Sequence, residues 1–222
     1  MVIWEFLHRV FTDTLDNHIL CLSCQNGQSS LMYASQNGHV EVVDKLLQHG
    51  ATVDLQNENG WSSLMAASWN GHMEVVDKLL QHGATVDLQY KNGWSSLMAA
   101  SRNGHVDVVD KLLQHGATVD LQYKNGWSSL MAASQIGHVE VVDKLLQHGA
   151  TVDLQTENGW SSLMAASRNG HVEVVDKLLQ HGATVDLQCK DGWSSLILAS
   201  YEGHVKVVEK LLEHGAKLEN II

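Results

Sequence analysis

Residues 60–89, GWSSLMAASWNGHMEVVDKLLQHGATVDLQ, recur almost unchanged along the chain at a constant step of 33 residues. Near-identical copies start at Gly93, Gly126 and Gly159, an earlier copy starts at Gly27, and a more diverged copy starts at Gly192. The 222-residue chain therefore contains six units. A fixed period of this length is the sequence signature of a repeat protein, in which one small supersecondary unit is stacked many times.

Each unit contains two helical patterns separated by glycine. In the quoted unit, Ser62 or Ser63 is suited to N-cap a short inner helix that ends near Gly71, where left-handed backbone is readily adopted. A second, outer helix is predicted from about His72 to Gln81. Its apolar face consists of Val75, Val76, Leu79 and Leu80. Residues 84–94 alternate apolar and polar residues and end in an Asn-Gly turn signal, which predicts an extended arm with a hairpin-like tip.

Stacking of the units follows from their small size. One helix pair cannot bury its own apolar face, so neighbouring units must pack together in a continuous core. The predicted fold class is therefore all-α, a helix-pair solenoid on the order of 60 Å long at roughly 10 Å per unit. The small Ala66 and Ala67 would allow the inner helices to approach closely.

The strings GHVEVVDKLLQHGATVDLQ and NGWSSLMAAS, at this period, closely resemble the ankyrin repeat from Gly27 to the end of the chain. One departure is consistent: Ser62-Ser63-Leu64-Met65 stands where the family carries Thr-Pro-Leu-His. Because Met65 lacks the hydrogen bonds of the family's histidine, we expect weaker local stability. Near-identical copies are also typical of designed consensus proteins, but the uneven N-terminal segment and the altered string favour natural duplication.

The two ends of the chain differ from the central units. Residues 1–26 fit the period loosely and are interpreted as a degenerate half repeat or cap, which leaves residues 27–222 as the ankyrin-type array. Lys206, Glu209 and Glu213 add charge to the last outer helix, as a capping unit requires, whereas Ile221 and Ile222 end the chain with apolar groups. The array is thus either mildly capped or a fragment of a longer protein.

Composition and charge limit the classes of function. The chain is 44 % hydrophobic and has no apolar stretch long enough to span a bilayer, so a folded protein without a membrane segment is expected. Its formal net charge of −11 repels nucleic acid and anionic membranes. Three cysteines fit a reducing compartment, and we expect a cytoplasmic protein. Cys21 and Cys24 form one C-x-x-C pair, but no second pair completes a zinc site.

Chemistry-bearing motifs are lacking. Twelve of the 14 histidines occupy two positions repeated in every unit, such as His72 and His82, which indicates a structural role. The serine pairs precede helices and have no local base, so capping is favoured over nucleophilic catalysis. No phosphate-binding loop, nucleophile elbow or zinc-protease string occurs. We therefore predict that the protein is not an enzyme and has no metal or cofactor.

Differences between the copies concentrate at two places. The inner helix ends with Gln36, Trp69, Arg102, Gln135, Arg168 or Tyr201, and the loop tip carries pairs such as Tyr90-Lys91 and Tyr123-Lys124. The resemblance to ankyrin repeats implies that these positions line a concave recognition surface. Neutral drift at tolerant positions is the alternative explanation. The tryptophan that follows each tip either binds a partner or packs between units, since indoles suit both roles.

The sequence therefore predicts a non-catalytic protein-protein interaction module whose concave face binds an extended, partly acidic segment. The candidate residues are Trp61, Trp69, Tyr90, Lys91, Trp94, Arg102, Tyr123, Lys124, Trp127, Trp160, Arg168, Trp193 and Tyr201. The alternative function is a structural spacer, or a fragment whose effector domain lies elsewhere. We expect a monomer, although such similar units can also pair out of register or exchange between chains.

Overall fold

The computed structural model describes residues 27–218, which form twelve α-helices in six pairs. The inner helices span Ser30–Gln36, Ser63–Asn70, Ser96–Asn103, Ser129–Ile136, Ser162–Arg168 and Ser195–Glu202. The outer helices span Val40–Gln48, Met73–Gln81, Val106–Gln114, Val139–Gln147, Val172–Gln180 and Val205–Glu213. The predicted all-α array of helix pairs is confirmed. Each outer helix begins one residue later than expected, because His72 and its copies occupy the N-cap position.

Several sequence-based expectations fall outside this range. The half repeat or cap at residues 1–26, the Cys21 and Cys24 pair, and the C-terminal Ile221 and Ile222 are not among the described residues. Within residues 27–218 no helix has the length and apolar character needed to cross a membrane. In the same part of the chain, no group of three His, Cys, Asp or Glu side chains is arranged to hold a metal ion.

The first serine of each pair caps the inner helix. Ser62 has extended backbone (φ −110°, ψ 168°), and its Oγ accepts a hydrogen bond from the Met65 N–H at 3.3 Å. Ser63 is the first helical residue and is buried. The sequence left open which serine is the cap, and the structure assigns that role to the first.

The main apolar core runs the length of the described array, from Leu31 to Ala216, and a smaller cluster contains Met164, Cys189 and Leu198. In the quoted unit, Val75, Val76 and Leu79 are fully buried, as the helical spacing predicts. Met65 is also buried, with 1 % of its surface exposed, so it contributes to the interior in place of the family's histidine.

The glycine-histidine pair before each outer helix connects adjacent units. The His72 Nε2 lies 3.0 Å from the carbonyl oxygen of Gln36 in the preceding unit. Because a carbonyl only accepts, Nε2 must carry the proton and donate it. The same bond recurs at His105, His138, His171 and His204. The imidazole lies against the preceding unit's glycine, where a Cβ on Gly38 would be 2.7 Å from the His72 ring.

Carboxylates form two further sets of contacts between units. Asp54 accepts hydrogen bonds from the Thr85 N–H at 2.9 Å and the Thr85 hydroxyl at 2.5 Å, and the pattern repeats along the array. On the outer helices, Lys78 Nζ lies 2.9 Å from Asp44 Oδ1, the first of five equivalent ion pairs. The hydrogen bond from Lys78 lowers the pKa of Asp44 below its ordinary value. Much of the acidic charge therefore connects units rather than forming a site.

The inner helices of neighbouring units contact each other more extensively than the outer helices do. This difference in spacing curves the array and places the inner helices on its concave side.

Candidate partner-binding face

Each loop tip is a tight turn that ends at a tryptophan. In the first tip, the Gly60 N–H donates to the Asn57 carbonyl at 2.8 Å, and the Asn57 N–H donates to the Trp61 carbonyl at 2.9 Å. The same two bonds occur at the other four tips, so the predicted hairpin-like geometry is confirmed. Adjacent tips are also joined, since the Lys91 N–H donates to the Asn59 carbonyl at 3.2 Å. These bonds fix the position of each tryptophan relative to the next unit.

The first variable tip position faces inward in three of the five tips. Asn57, Thr156 and Cys189 are buried, and the oxygens of the Asn57 and Thr156 side chains accept hydrogen bonds from tip or tryptophan N–H groups. Tyr90 and Tyr123 are half-buried and extend their rings toward a tryptophan instead. Variation at this position is therefore partly internal, whereas the second tip residue is exposed in all five tips.

The tryptophan row is not uniform along the array. All five indoles that follow the tips are half-buried. Trp61 lies 5.9 Å from Tyr90 and Trp94 lies 5.3 Å from Tyr123, measured between ring centroids, so both contact the next tip. Among the described residues, Trp127 has no ring partner of this kind.

Trp69 joins two of these pairs into one aromatic cluster. Its ring centroid is 6.1 Å from Trp61, edge to face, and 6.0 Å from Trp94. Trp69 is 39 % exposed, which is high for an indole with two aromatic neighbours. The aromatic cluster thus consists of Trp61, Trp69, Tyr90, Trp94 and Tyr123.

Two arginines stack on tryptophans two units apart. The guanidinium carbon of Arg102 lies 5.8 Å from the ring centroid of Trp94, and that of Arg168 lies 5.7 Å from Trp160. Arg168 also pairs with Glu202, at 3.6 Å between Nε and Oε1. Arg102 has no ion pair among residues 27–218. Burial raises the pKa of the Tyr123 phenol, and the charge of Arg102 opposes that rise.

Three of the depressions formed by residues 27–218 lie on the concave side between consecutive units. The one between units 2 and 3 has a volume of about 320 Å³. Depressions of about 210 Å³ and about 200 Å³ lie between units 1 and 2 and between units 4 and 5. The depression between units 2 and 3 is lined by Trp61, Met65, Trp69, Tyr90, Asn92, Trp94, Ser95, Ala99 and Arg102.

The structure brings the candidate residues together in three groups. The aromatic cluster and Arg102 form the first group, Trp160 and Arg168 the second, and Trp193 and Tyr201 the third, with ring centroids of the last pair 5.6 Å apart. Lys91 and Lys124 are exposed at their tips. Tyr201 is 75 % exposed. Trp127 has no aromatic ring partner among the described residues, but it lines the depression between units 4 and 5 together with Trp160 and Arg168.

Sequence reasoning placed Glu58, Glu157 and Glu202 among the variable residues but missed their effect on the charge of this face. Glu58, Glu157 and Asp191 are exposed at the tips, and Glu202 pairs with Arg168. The basic residues of this face are therefore interspersed with carboxylates, and the exposed Lys91, Arg102 and Lys124 form one local basic stretch. The repeat alignment already shows the acidic substitution. Glu202 stands one position after the variable inner-helix end, where the other units have Asn or Ile.

Comparison with known proteins places this geometry in a family. Residues 6–90, 82–156 and 130–221 match a family model described as ankyrin repeats in three copies. The chain is also similar to the crystal structure of the human ASB11 ankyrin repeat domain, with 30 % identity, a TM-score of 0.81 and 86 % of each chain covered. A search of curated protein sequences gave no match. The chain belongs to the ankyrin repeat family.

Proposed function

We propose that the concave face of this array binds an extended, partly acidic segment of a partner protein and that the chain has no catalytic activity of its own. Ankyrin repeats are generally protein-protein interaction modules, which supports the proposal that this chain binds a partner protein. We also propose a cytoplasmic location, because an odd number of cysteines suits a reducing compartment.

The observation that carries the proposal is the shared location of the residues that differ between copies. Trp69, Arg102, Arg168 and Tyr201 stand at one repeated position, and all four are exposed beside the tryptophan row. Elsewhere the units are almost identical and joined by repeated contacts. Recognition of one particular partner requires side chains that differ from unit to unit, presented on a backbone that stays the same.

An extended segment suits the dimensions of this face. Units stacked at roughly 10 Å present one variable inner-helix end per step. An extended chain advances about 3.3 Å per residue, so roughly every third side chain of the segment would meet an equivalent position. The cations Lys91, Arg102 and Lys124 favour carboxylates near units 2 and 3, and their effect would weaken as salt is added.

A pull-down from cytosolic extract tests this proposal. The full chain is compared with a variant that carries Trp94→Gln, Arg102→Glu and Arg168→Gln. Glutamine is suitable because Gln28 and Gln135 occupy the corresponding positions in other units. A control variant, Glu74→Gln with Asp107→Asn and Glu140→Gln, changes three exposed acidic residues of the outer helices.

We expect a partner that is retained by the wild-type chain and the control, lost by the concave-face variant, and released by added salt. All three proteins must first show equal helicity by circular dichroism. Equal retention by the concave-face variant, or enrichment of no protein, would contradict the proposal and favour the spacer function, in which the tryptophan row only packs the units together.

A further inference from the structure

We propose that the depression between units 2 and 3 holds one aromatic side chain of the bound segment and that Arg102 pairs with a carboxylate next to it in that segment. This inference rests on the proposed function, since it specifies what the segment carries. The site is defined by Trp61, Trp69, Tyr90, Trp94 and Arg102 and is called the anchor site.

The walls of the anchor site are held in place before any ligand binds. Trp69 contacts Trp61 on one side and Trp94 on the other, with both centroid distances close to 6 Å. Trp61 in turn contacts Tyr90, whose backbone N–H donates to the Trp94 carbonyl at 2.8 Å. Rings that support one another lose little conformational entropy when a further ring is added, so the site is preorganised.

The size of the anchor site distinguishes it from the other two depressions. Ligand pockets in proteins commonly exceed about 300 Å³. The anchor site reaches that volume at about 320 Å³, whereas the others measure about 210 Å³ and about 200 Å³. This volume suits one large side chain rather than a folded element. An aromatic ring fits best because ring pairs at 4.5–7 Å gain roughly 0.5–1.5 kcal/mol beyond their buried area.

The charge at the rim selects an acidic neighbour. Arg102 lies over Trp94 and has no ion-pair partner within residues 27–218, whereas Arg168, at the same repeat position, already pairs with Glu202. No carboxylate lines the anchor site. Aromatic walls alone would also suit a cationic ligand. Here Arg102 would repel such a ligand, so a carboxylate beside the aromatic ring is favoured.

A matched pair of double variants separates the anchor site from the rest of the face. The anchor-site variant carries Trp69→Gln and Arg102→Gln, and the control carries Tyr201→Gln and Arg168→Gln. All four residues occupy the same repeat position, where Gln36 and Gln135 show that the fold accepts glutamine. Each variant thus loses one aromatic ring and one guanidinium from equivalent places.

The probe is a library of random 12-residue peptides displayed on phage and selected on the immobilised full chain. We expect the selected peptides to carry an aromatic residue within two positions of Asp or Glu. Their affinity should fall by about tenfold or more on the anchor-site variant, as for a central hot spot, and by less than about twofold on the control. Replacement of the acidic residue by Lys in a selected peptide should abolish binding.

Four outcomes would overturn the inference. Selected peptides that lack the aromatic-acidic pair, or that bind the anchor-site variant as well as the wild type, would disprove the anchor site while leaving peptide binding by the concave face intact. If no peptide is selected at all, both the anchor site and the proposed function fail. Selection of basic rather than acidic peptides would show that Arg102 does not determine the ligand.

Discussion

At the scale of single residues, the contact between His138 and Gly104 explains why a glycine precedes the N-cap histidine in each of the first five units. The His138 Nε2 donates to the Arg102 carbonyl at 3.0 Å, and its ring occupies the space beside Gly104. Gly104 has a φ of +76°, which disfavours any side chain, and a Cβ there would lie 2.7 Å from the imidazole. A glycine is therefore required for two independent reasons at this position.

These two requirements predict how much a methyl group at position 104 lowers the free energy of unfolding. Gly104→Ala should lower the free energy of unfolding by at least about 2 kcal/mol, because the backbone is strained and the His138 ring must move from its hydrogen bond. Gly116→Ala is the control in the same unit, since its φ is +83° and nothing lies within 4 Å of a Cβ. It should cost only about 1–2 kcal/mol, for backbone strain. Equal losses in urea denaturation would show that the histidine contact contributes nothing.

Contacts between side chains of different units could not be predicted from the sequence. The spacing predicted that His72 is structural, but not that its ring reaches the Gln36 carbonyl 36 residues earlier. It also did not reveal that Cys189 is buried at a variable tip or that Glu202 partly neutralises Arg168. Each of these depends on the distance between units, which a pattern within one unit does not contain.

At the scale of helices, the residue pattern within one unit was sufficient to predict where each helix begins and ends and which face it buries. The serine cap, the apolar face of the outer helix and the glycine at the end of the inner helix all act over a few residues, so the sequence places them to within one position. The aromatic cluster could be predicted from the sequence only in part. The tryptophans after the tips were recognised as a row, but their contacts with Trp69 depend on the geometry between units 2 and 3.

The start of the inner helix offers a stabilising substitution. Ser96 is the first helical residue, its buried hydroxyl has no hydrogen-bond partner among the described residues, and Ser95 before it has the extended backbone that precedes proline. Ser96→Pro should raise the free energy of unfolding by about 0.4–1 kcal/mol, because it restricts the unfolded chain and removes an unpaired hydroxyl. The matched change Ser95→Ala removes the cap and should cost about 1 kcal/mol. A loss of stability on Ser96→Pro, measured by urea denaturation, would show that the ring is not accommodated.

At the scale of the whole molecule, stability is distributed along the array. Each unit contacts its neighbours through the same histidine, aspartate and backbone bonds, and stacked repeats of this kind behave as a chain of nearest-neighbour interactions. The loss of one internal unit should therefore shorten the array without disrupting it.

Two deletions of equal length test this expectation. Removal of residues 93–125 or of residues 126–158 joins equivalent positions, and both proteins should fold with the same helicity per residue. The dependence of unfolding free energy on urea should fall by about a sixth in each, since it scales with the surface exposed. Only the first deletion removes Trp94 and Arg102, so only it should lose peptides selected by the anchor site. Collapse of either protein would show that the units are not interchangeable.

Because the boundaries between units are equivalent, they also affect how the sequence of such a protein can change over generations. Since the contacts at each boundary use the same positions of the 33-residue register, recombination between copies within the coding sequence exchanges whole units while preserving the hydrogen bonds at the new boundary. Such an event reorders the side chains at the inner-helix ends, for example by moving Trp69 next to Arg168 instead of Arg102. The order of the side chains exposed at the inner-helix ends can therefore change in one genetic step, without passing through an unstable intermediate.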